Sequence, residues 1–280
     1  MTFYSWNPSS MITEIATFAK EYAFRVSWAG FVLLVFEIVL PASRSSMVSR
    51  IRGYGFWLVY IVITATTLTV FGNAFASLGL KPLLSVNLDS SLTFKNETIR
   101  LFSFAFALIA SSTLADFFYY WFHRLQHSNS FMWRFHRIHH SIREMNALNS
   151  NHHFTEEIFR IPFVTIPLAL IVSVNAGTTP LLLAMLLGMH GLFIHSSTKI
   201  SLGPLRCFLA DNRFHRIHHS IEVKHFDKNF GSFTVIWDVL FQTACMPLLR
   251  EWPATGLDEM REPSNLRDFL FLPFTSREWY

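Results

Sequence analysis

Three groups of histidines set the chemistry open to this chain: His123-Arg-Leu-Gln-His127, His136-Arg-Ile-His139-His140 and His215-Arg-Ile-His218-His219. Imidazole nitrogen is a common ligand for iron, zinc and copper. On a helix, HxxxH puts two rings on one face, and HxxHH puts three there at i, i+3 and i+4. Each group is a chelating face if it is helical. Together they hold eight imidazoles, whereas one structural zinc takes about four ligands. Eight suits two metals sharing a pocket. One HxxxH arises by chance on any helix; three groups, two of them with the same hexapeptide HRIHHS, do not. The competing reading is a set of solvated surface histidines. HExxH, the zinc-protease helix, is absent.

The elements that must position these groups are apolar. Of the 280 residues, 51% are hydrophobic and 15% charged, and 30 are Phe. Soluble domains are nearer 25% charged, so a membrane protein is favoured. The net charge of +4 fits loops facing anionic lipid, not a nucleic-acid surface. Cys207 and Cys245 match no CxxC motif and suggest no disulfide framework. The opening MTFYSWNPSS lacks the basic start of a secretory signal. Asn96-Glu97-Thr98 is a formal glycosylation sequon.

Hydrophobic stretches cover Val26–Leu40, Tyr54–Phe71, Leu101–Phe122, Ile161–Val174 and Leu181–Ile194. A full span needs about 20 residues. The second and third qualify, and the first does if extended to Ala23. The last two are short and joined by a turn-like Asn175–Pro180 segment. Met11–Phe24 has helical spacing of apolar residues and is expected as a separate interfacial helix. The expected architecture is an all-α membrane protein of four to five membrane-embedded helices. A cytoplasmic helical cap would hold a dimetal site. Arg44, Arg50 and Arg52 place the first loop in the cytoplasm, and every histidine group then falls on that side. The whole chain is expected to be one integral membrane domain, with 116–243 its catalytic region and 248–280 a cytoplasmic tail whose Phe269–Phe274 patch touches the membrane.

DFFYYWFHRLQHS, MWRFHRIHHS and FHRIHHSIEVKHFDKNFGSFTVIWDVLF resemble, in this order around a membrane hairpin, the fatty acid hydroxylase and sterol desaturase superfamily. The resemblance runs from about Asp116 to Thr243. It includes the turn Asn229-Phe230-Gly231 and the pair Trp237-Asp238. The chain departs from the family at Gln242-Thr243, where members often have Gly-Thr. It departs again at His153-Phe154-Thr155-Glu156, where members often have His-Pro before an acid. These departures leave the metal residues intact and bear on the substrate.

The resemblance implies an oxygen-dependent, membrane-bound, non-haem di-iron enzyme acting on a lipid: a fatty acyl chain, a sterol or a relative. Zinc is a substitute in purified protein. Electrons would come from NAD(P)H through a separate ferredoxin- or cytochrome-type carrier and its reductase. The address would be a bacterial inner membrane, or the endoplasmic reticulum in a eukaryote, though the final Arg-Glu-Trp-Tyr carries no lysine retrieval signal. Hydroxylation is preferred to desaturation, since it needs one hydrogen abstraction and rebound. The reading from another class is a membrane protein for metal transport or storage. That reading wants polar residues along the spans, whereas here the histidines gather at the helix ends.

The eight histidines of the three groups are the first expected ligands: His123, His127, His136, His139, His140, His215, His218 and His219. His195 in GLFIHSS matches a further family position. His190, five residues earlier, points about 140° away on an ideal helix and is either a ligand or a hydrogen-bonded helix residue. His153 stands at the His-Pro position, as a ligand or the support of one. His152 and His225 are expected at the surface. Asp116, Tyr120, His123 and His127 form one helical stripe, so Asp116 is an intramembrane carboxylate facing the metals. Its expected role is to accept a proton from a ligand imidazole and fix its tautomer; the alternative is a simple hydrogen bond between helices. Glu156 and Asp238 are candidates for similar work, and Asp238 equally for bracing the turn shaped by Asn229 and Gly231.

Overall fold

The computed structural model describes residues 8–87, 96–175, 179–248 and 250–275. The N-terminal seven residues, part of the expected turn at 176–178 and the final Arg-Glu-Trp-Tyr lie outside them. The chain is mostly helical. α1 (Pro8–Val39) and α2 (Met47–Ser77) are long and apolar enough to cross a membrane. Their outward residues, such as Phe24, Phe31, Ile38 and Val62, are exposed, as a lipid-facing surface requires.

α1 is one helix of 32 residues. The expected interfacial helix Met11–Phe24 is therefore its first half, not a separate element. No proline interrupts 9–39 and the one glycine, Gly30, is tolerated, so nothing stops propagation. Gly30 and Gly53 instead let the loop at Leu148 approach. A Cβ on Gly53 would lie 2.4 Å from the Leu148 carbonyl oxygen. Gly53→Ala should therefore destabilise the protein by about 1–3 kcal/mol, read as a lower unfolding midpoint in detergent. An unchanged midpoint would refute this close packing.

α3 (Glu97–Ser128) is capped by Asn96, whose side chain accepts from the Thr98 and Ile99 amides, so the sequon asparagine serves as an N-cap. α3 stops at Asn129, which then caps α4 (Ser130–His140) by accepting from Met132. One residue thus sets the sharp bend that faces the first histidine box towards the second. α5 (Thr155–Arg160), a π-helical turn (Ile161–Thr165) and α6 (Ile166–Ile171) follow without a break. β1 (Leu84–Asn87) and β2 (Val172–Asn175) pair in parallel, Leu84 opposite Val172. α7 (Thr179–Phe193) returns the chain to His195. α8 (Asn212–His218) is capped by Asp211, which accepts from Arg213 and Phe214. α9 (Ile236–Leu240) and α10 (Leu266–Thr275) complete the fold.

One core joins the spans to the histidine region: Leu33, Trp57, Leu192, Ile194, Phe214 and Val235 pack together. Glu37 and Arg50 pair in it, buried, and Glu37 Oε1 also accepts from the Ala147 and Ser197 amides at 2.9 and 2.8 Å. This carboxylate ties both spans to the loops flanking the site. The Phe269–Phe274 patch divides. Phe269 is fully buried and stacks on Phe56 at 4.6 Å, whereas Phe271 and Phe274 are exposed.

Candidate metal centre

The histidines converge at the C-terminal ends of α3, α4, α7 and α8 as two adjacent groups. His123, His127, His136, His140 and His218 form one; His139, His195, His215 and His219 form the other. Within each, one ligand nitrogen per ring lies within 4.8 Å of all the others. The groups touch, with the His140 and His219 ring centroids 4.4 Å apart. Each HxxHH box is divided between them. In α4, His136 and His140 serve the first group and His139 the second. In α8, His215 and His219 serve the second and His218 the first. The shared HRIHHS hexapeptide thus has a geometric reading: two like helices, each lending its i+3 ring to the other's group.

Tautomers follow from the carbonyls. His123 Nδ1 donates to the Phe230 carbonyl at 2.8 Å, His195 Nδ1 to Gly191 at 2.7 Å, His218 Nδ1 to Lys228 at 2.7 Å and His139 Nδ1 to Asn151 at 3.3 Å. A carbonyl only accepts, so Nδ1 carries the proton and Nε2 presents a lone pair in each neutral ring. Yet His195 Nε2 lies 3.1 Å from His139 Nε2 and 2.9 Å from His215 Nε2, and His123 Nε2 lies 3.0 Å from His136 Nε2. In the His139–His195 pair both Nε2 atoms therefore carry lone pairs, which repel unless a cation sits between them. Ligand nitrogens about 2.1 Å from one metal are themselves about 3.0–3.4 Å apart. The residues therefore fit a pair of metal ions, with Nδ1 bonds fixing the ligand rings.

Burial first, and neighbouring imidazoles second, hold His136, His139, His140, His215, His218 and His219 well below their ordinary 6.5. Neutral rings are the metal-binding form. In metal-free protein the sign is fixed. Below about pH 6.5 the unfolded histidines take up protons that the folded ones refuse, so stability is lost as pH decreases, by up to ~1.4 kcal/mol per pH unit for each ring. Thermal unfolding after chelation should show a midpoint dropping from about pH 7.5 to 5.5; a flat profile would contradict the buried neutral cluster.

The three carboxylates divide in role. Asp116 does not touch an imidazole, contrary to expectation. Its Oδ1 accepts from the Ser232 amide and hydroxyl and the Phe233 amide, and its Oδ2 from the Thr234 amide, all at 2.9 Å. Asp238 accepts from Phe230 and Gly231 amides and the Thr243 hydroxyl. Both shape the 229–234 loop, whose Phe230 carbonyl orients His123. Asn229, at φ +59°, bonds the Phe214 and Cys245 backbones. A Cβ on Gly231 would lie 2.3 Å from the Thr234 carbonyl oxygen, so the turn requires glycine. Gln242 adopts φ +61°, a conformation that favours glycine, which rationalises the Gly-Thr of the resembling family.

Glu156 lies against an imidazole of the first group. Its Oε2 is 3.6 Å from His136 Nδ1 and accepts from Gln126 at 2.5 Å. Burial raises its pKa to about 7, with the Gln126 bond opposing.

The structure leaves two expected ligands outside both groups. His153 bonds the Thr155 hydroxyl and the Leu270 carbonyl and packs on Phe135. His190 lies beside Phe233, 5.4 Å between centroids. His152, expected at the surface, stacks on His139 at 3.7 Å and groups with His136 and Glu156. His225, also expected at the surface, is buried against Ser220. The HH pair at 152–153 signals one inward ring, but not which.

Among the described residues, two cavities reach the centre. One of about 330 Å³ runs from Val26, Trp57 and Leu187 to His139, His195 and His215. The other, about 200 Å³, meets His127, His140, His218 and His219 beneath Asp227 and Glu259.

Residues 108–243 match the family model described as fatty acid hydroxylase. The chain is similar to alkylglycerol monooxygenase of Homo sapiens, 33% identical over 128 residues, covering 46% of this chain and 28% of that protein. The Danio rerio alkylglycerol monooxygenase is 30% identical over the same length and the same shares. Ornithine lipid hydroxylase OlsE of Rhizobium tropici is 33% identical over 142 residues, 50% of this chain and 42% of that protein. The similarity thus spans less than half of each relative. No solved structure matches the chain significantly.

Proposed function

We propose, from the premise that the chain belongs to the fatty acid hydroxylase superfamily, that it is a di-iron oxygenase hydroxylating an unactivated C–H bond of a membrane lipid. The observation that carries this is the pair of converging imidazole groups at the end of a largely apolar cavity between the apolar helices. The relatives named for alkylglycerol and ornithine lipid favour a lipid with a polar head. The nine grouped histidines would hold two iron ions, which when bound supply reduction of dioxygen and oxygen insertion into carbon.

The protein's own residues do the positioning. Nδ1 bonds to carbonyls fix the rings. Val26, Trp57, Leu187 and Leu192 wall the cavity with hydrocarbon and exclude water from the reacting carbon. Glu156 Oε2, 3.6 Å from His136 Nδ1, would hold a proton shared with that ring and orient it. Residues 116–243 form the catalytic region, placed in a cytoplasmic cap over four to five membrane-embedded helices. The cavity between the spans gives a lipid tail a route from the bilayer. Electrons would arrive from NAD(P)H through a separate ferredoxin- or cytochrome-type carrier.

Lipid mass spectrometry of cells with and without the gene tests this, with His218→Ala as control. A lipid heavier by one oxygen, lost in the variant, is expected. A lipid lighter by two hydrogens would make the protein a desaturase instead. No lipid change in cells supplied with candidate lipids would favour metal storage or transport.

A further inference from the structure

The cavity that reaches His139, His195 and His215 is not wholly apolar. Arg160, the last residue of α5, lines it together with Tyr22, Tyr60 and Tyr119. Arg160 Nη1 lies 3.3 Å from Glu157 Oε2, one helical turn before it, and Tyr60 donates to the same oxygen at 3.1 Å. Glu157 is buried, with 5% of its side chain accessible, whereas 36% of the Arg160 side chain is accessible. The guanidinium also lies over the Tyr119 ring, 5.7 Å from its centroid, and Tyr119 in turn packs on His123 at 5.3 Å.

A brace between α2 and α5 accounts for Tyr60 and Glu157. It does not account for a guanidinium that also lines the largely apolar cavity, where a charge is costly unless it is paired. Arg160 also stands where α5 gives way to the π-helical turn at Ile161, a distortion that recurs at functional sites. A guanidinium only donates hydrogen bonds, five of them, and Glu157 takes one side of it. The group it could hold is therefore an oxygen acceptor. Glu157 offsets the charge, so a neutral carbonyl is matched better than a carboxylate.

We propose that Arg160 is a specificity-determining residue that holds an acyl carbonyl of the lipid substrate. The chain then extends towards His139, His195 and His215, so the distance from the carbonyl fixes which carbon is presented. This rests on the lipid-oxygenase reading for its consequence, but not for its binding test.

Native mass spectrometry of the metal-loaded protein, titrated with methyl octadecanoate and with octadecane, tests the binding. The expected result is about tenfold or greater preference for the ester, lost in Arg160→Gln and partly restored in Arg160→Lys, with metal content unchanged. The wild-type comparison stands even if a variant fails to fold. Equal binding of ester and alkane by wild type would overturn the proposal, as would an undiminished preference in Arg160→Gln. Preference for octadecanoate over its ester would overturn the neutral match. Turnover provides a second readout: one hydroxylated carbon in wild type and several neighbouring ones in Arg160→Gln. A wild type that selects the ester through Arg160 yet oxidises no lipid would sink the oxygenase reading and leave the anchor standing. Lipid oxidation with unchanged position in Arg160→Gln would do the reverse.

Discussion

Alanine at His139 should lower bound metal from about two ions per chain to about one and reduce lipid oxidation by at least ~100-fold. His139 belongs to the group of four rings. Its loss removes one of the four rings available to the ion of that group, and with it the ring that faces His195 at 3.1 Å. Loss of residues that merely support ligands already costs about 10–100-fold. His218 belongs to the group of five, so His218→Ala should keep more metal while abolishing activity comparably. Metal analysis of the two purified variants checks the difference. Equal and complete metal retention in both would show that these rings are not ligands.

The second large effect is expected at Asp116. Asp116→Ala would strand three amides, those of Ser232, Phe233 and Thr234. An unsatisfied buried donor costs about 1–3 kcal/mol, so the variant should lose roughly 3–5 kcal/mol of stability. The Phe230 carbonyl would then no longer hold His123, and metal affinity should fall too. Asn is not a conservative replacement, because its NH2 group would face amide donors. Unfolding and metal content measured together test the assignment. A stable variant lacking only activity would return Asp116 to the proton-handling role expected from its position.

The convergence of the eight histidines is legible because helical spacing is local. HxxxH and HxxHH predict rings on neighbouring faces without any knowledge of the fold. The division between two groups was less accessible. At about 100° per residue, rings at i+3 and i+4 diverge by about 100°, so one box naturally serves two centres; which centre depends on how α4 and α8 meet. His152 and His153 sit where no helix fixes the parity, and the sequence favours the wrong one of the pair as the ring beside the centre. Asp116 was correctly placed on the stripe of His123 and His127. Its partners, however, lie 116–118 residues away, a long-range contact no local pattern encodes. Arg160 and Glu157 carry no signal in the sequence, because an i,i+3 pair is ordinary on any helix; only the cavity distinguishes it. The change in polarity at Phe24 resembles a boundary within α1, although nothing there breaks a helix.

The most direct test of the central claim is turnover of a polar-headed membrane lipid by the purified, iron-loaded protein under 18O2 with a chemical or ferredoxin-type reductant, read by mass spectrometry. The account predicts one oxygen-18 atom in the lipid product, and none with His139→Ala. A protein holding two irons and consuming reductant, yet leaving its candidate lipids free of label and of new double bonds, would contradict it.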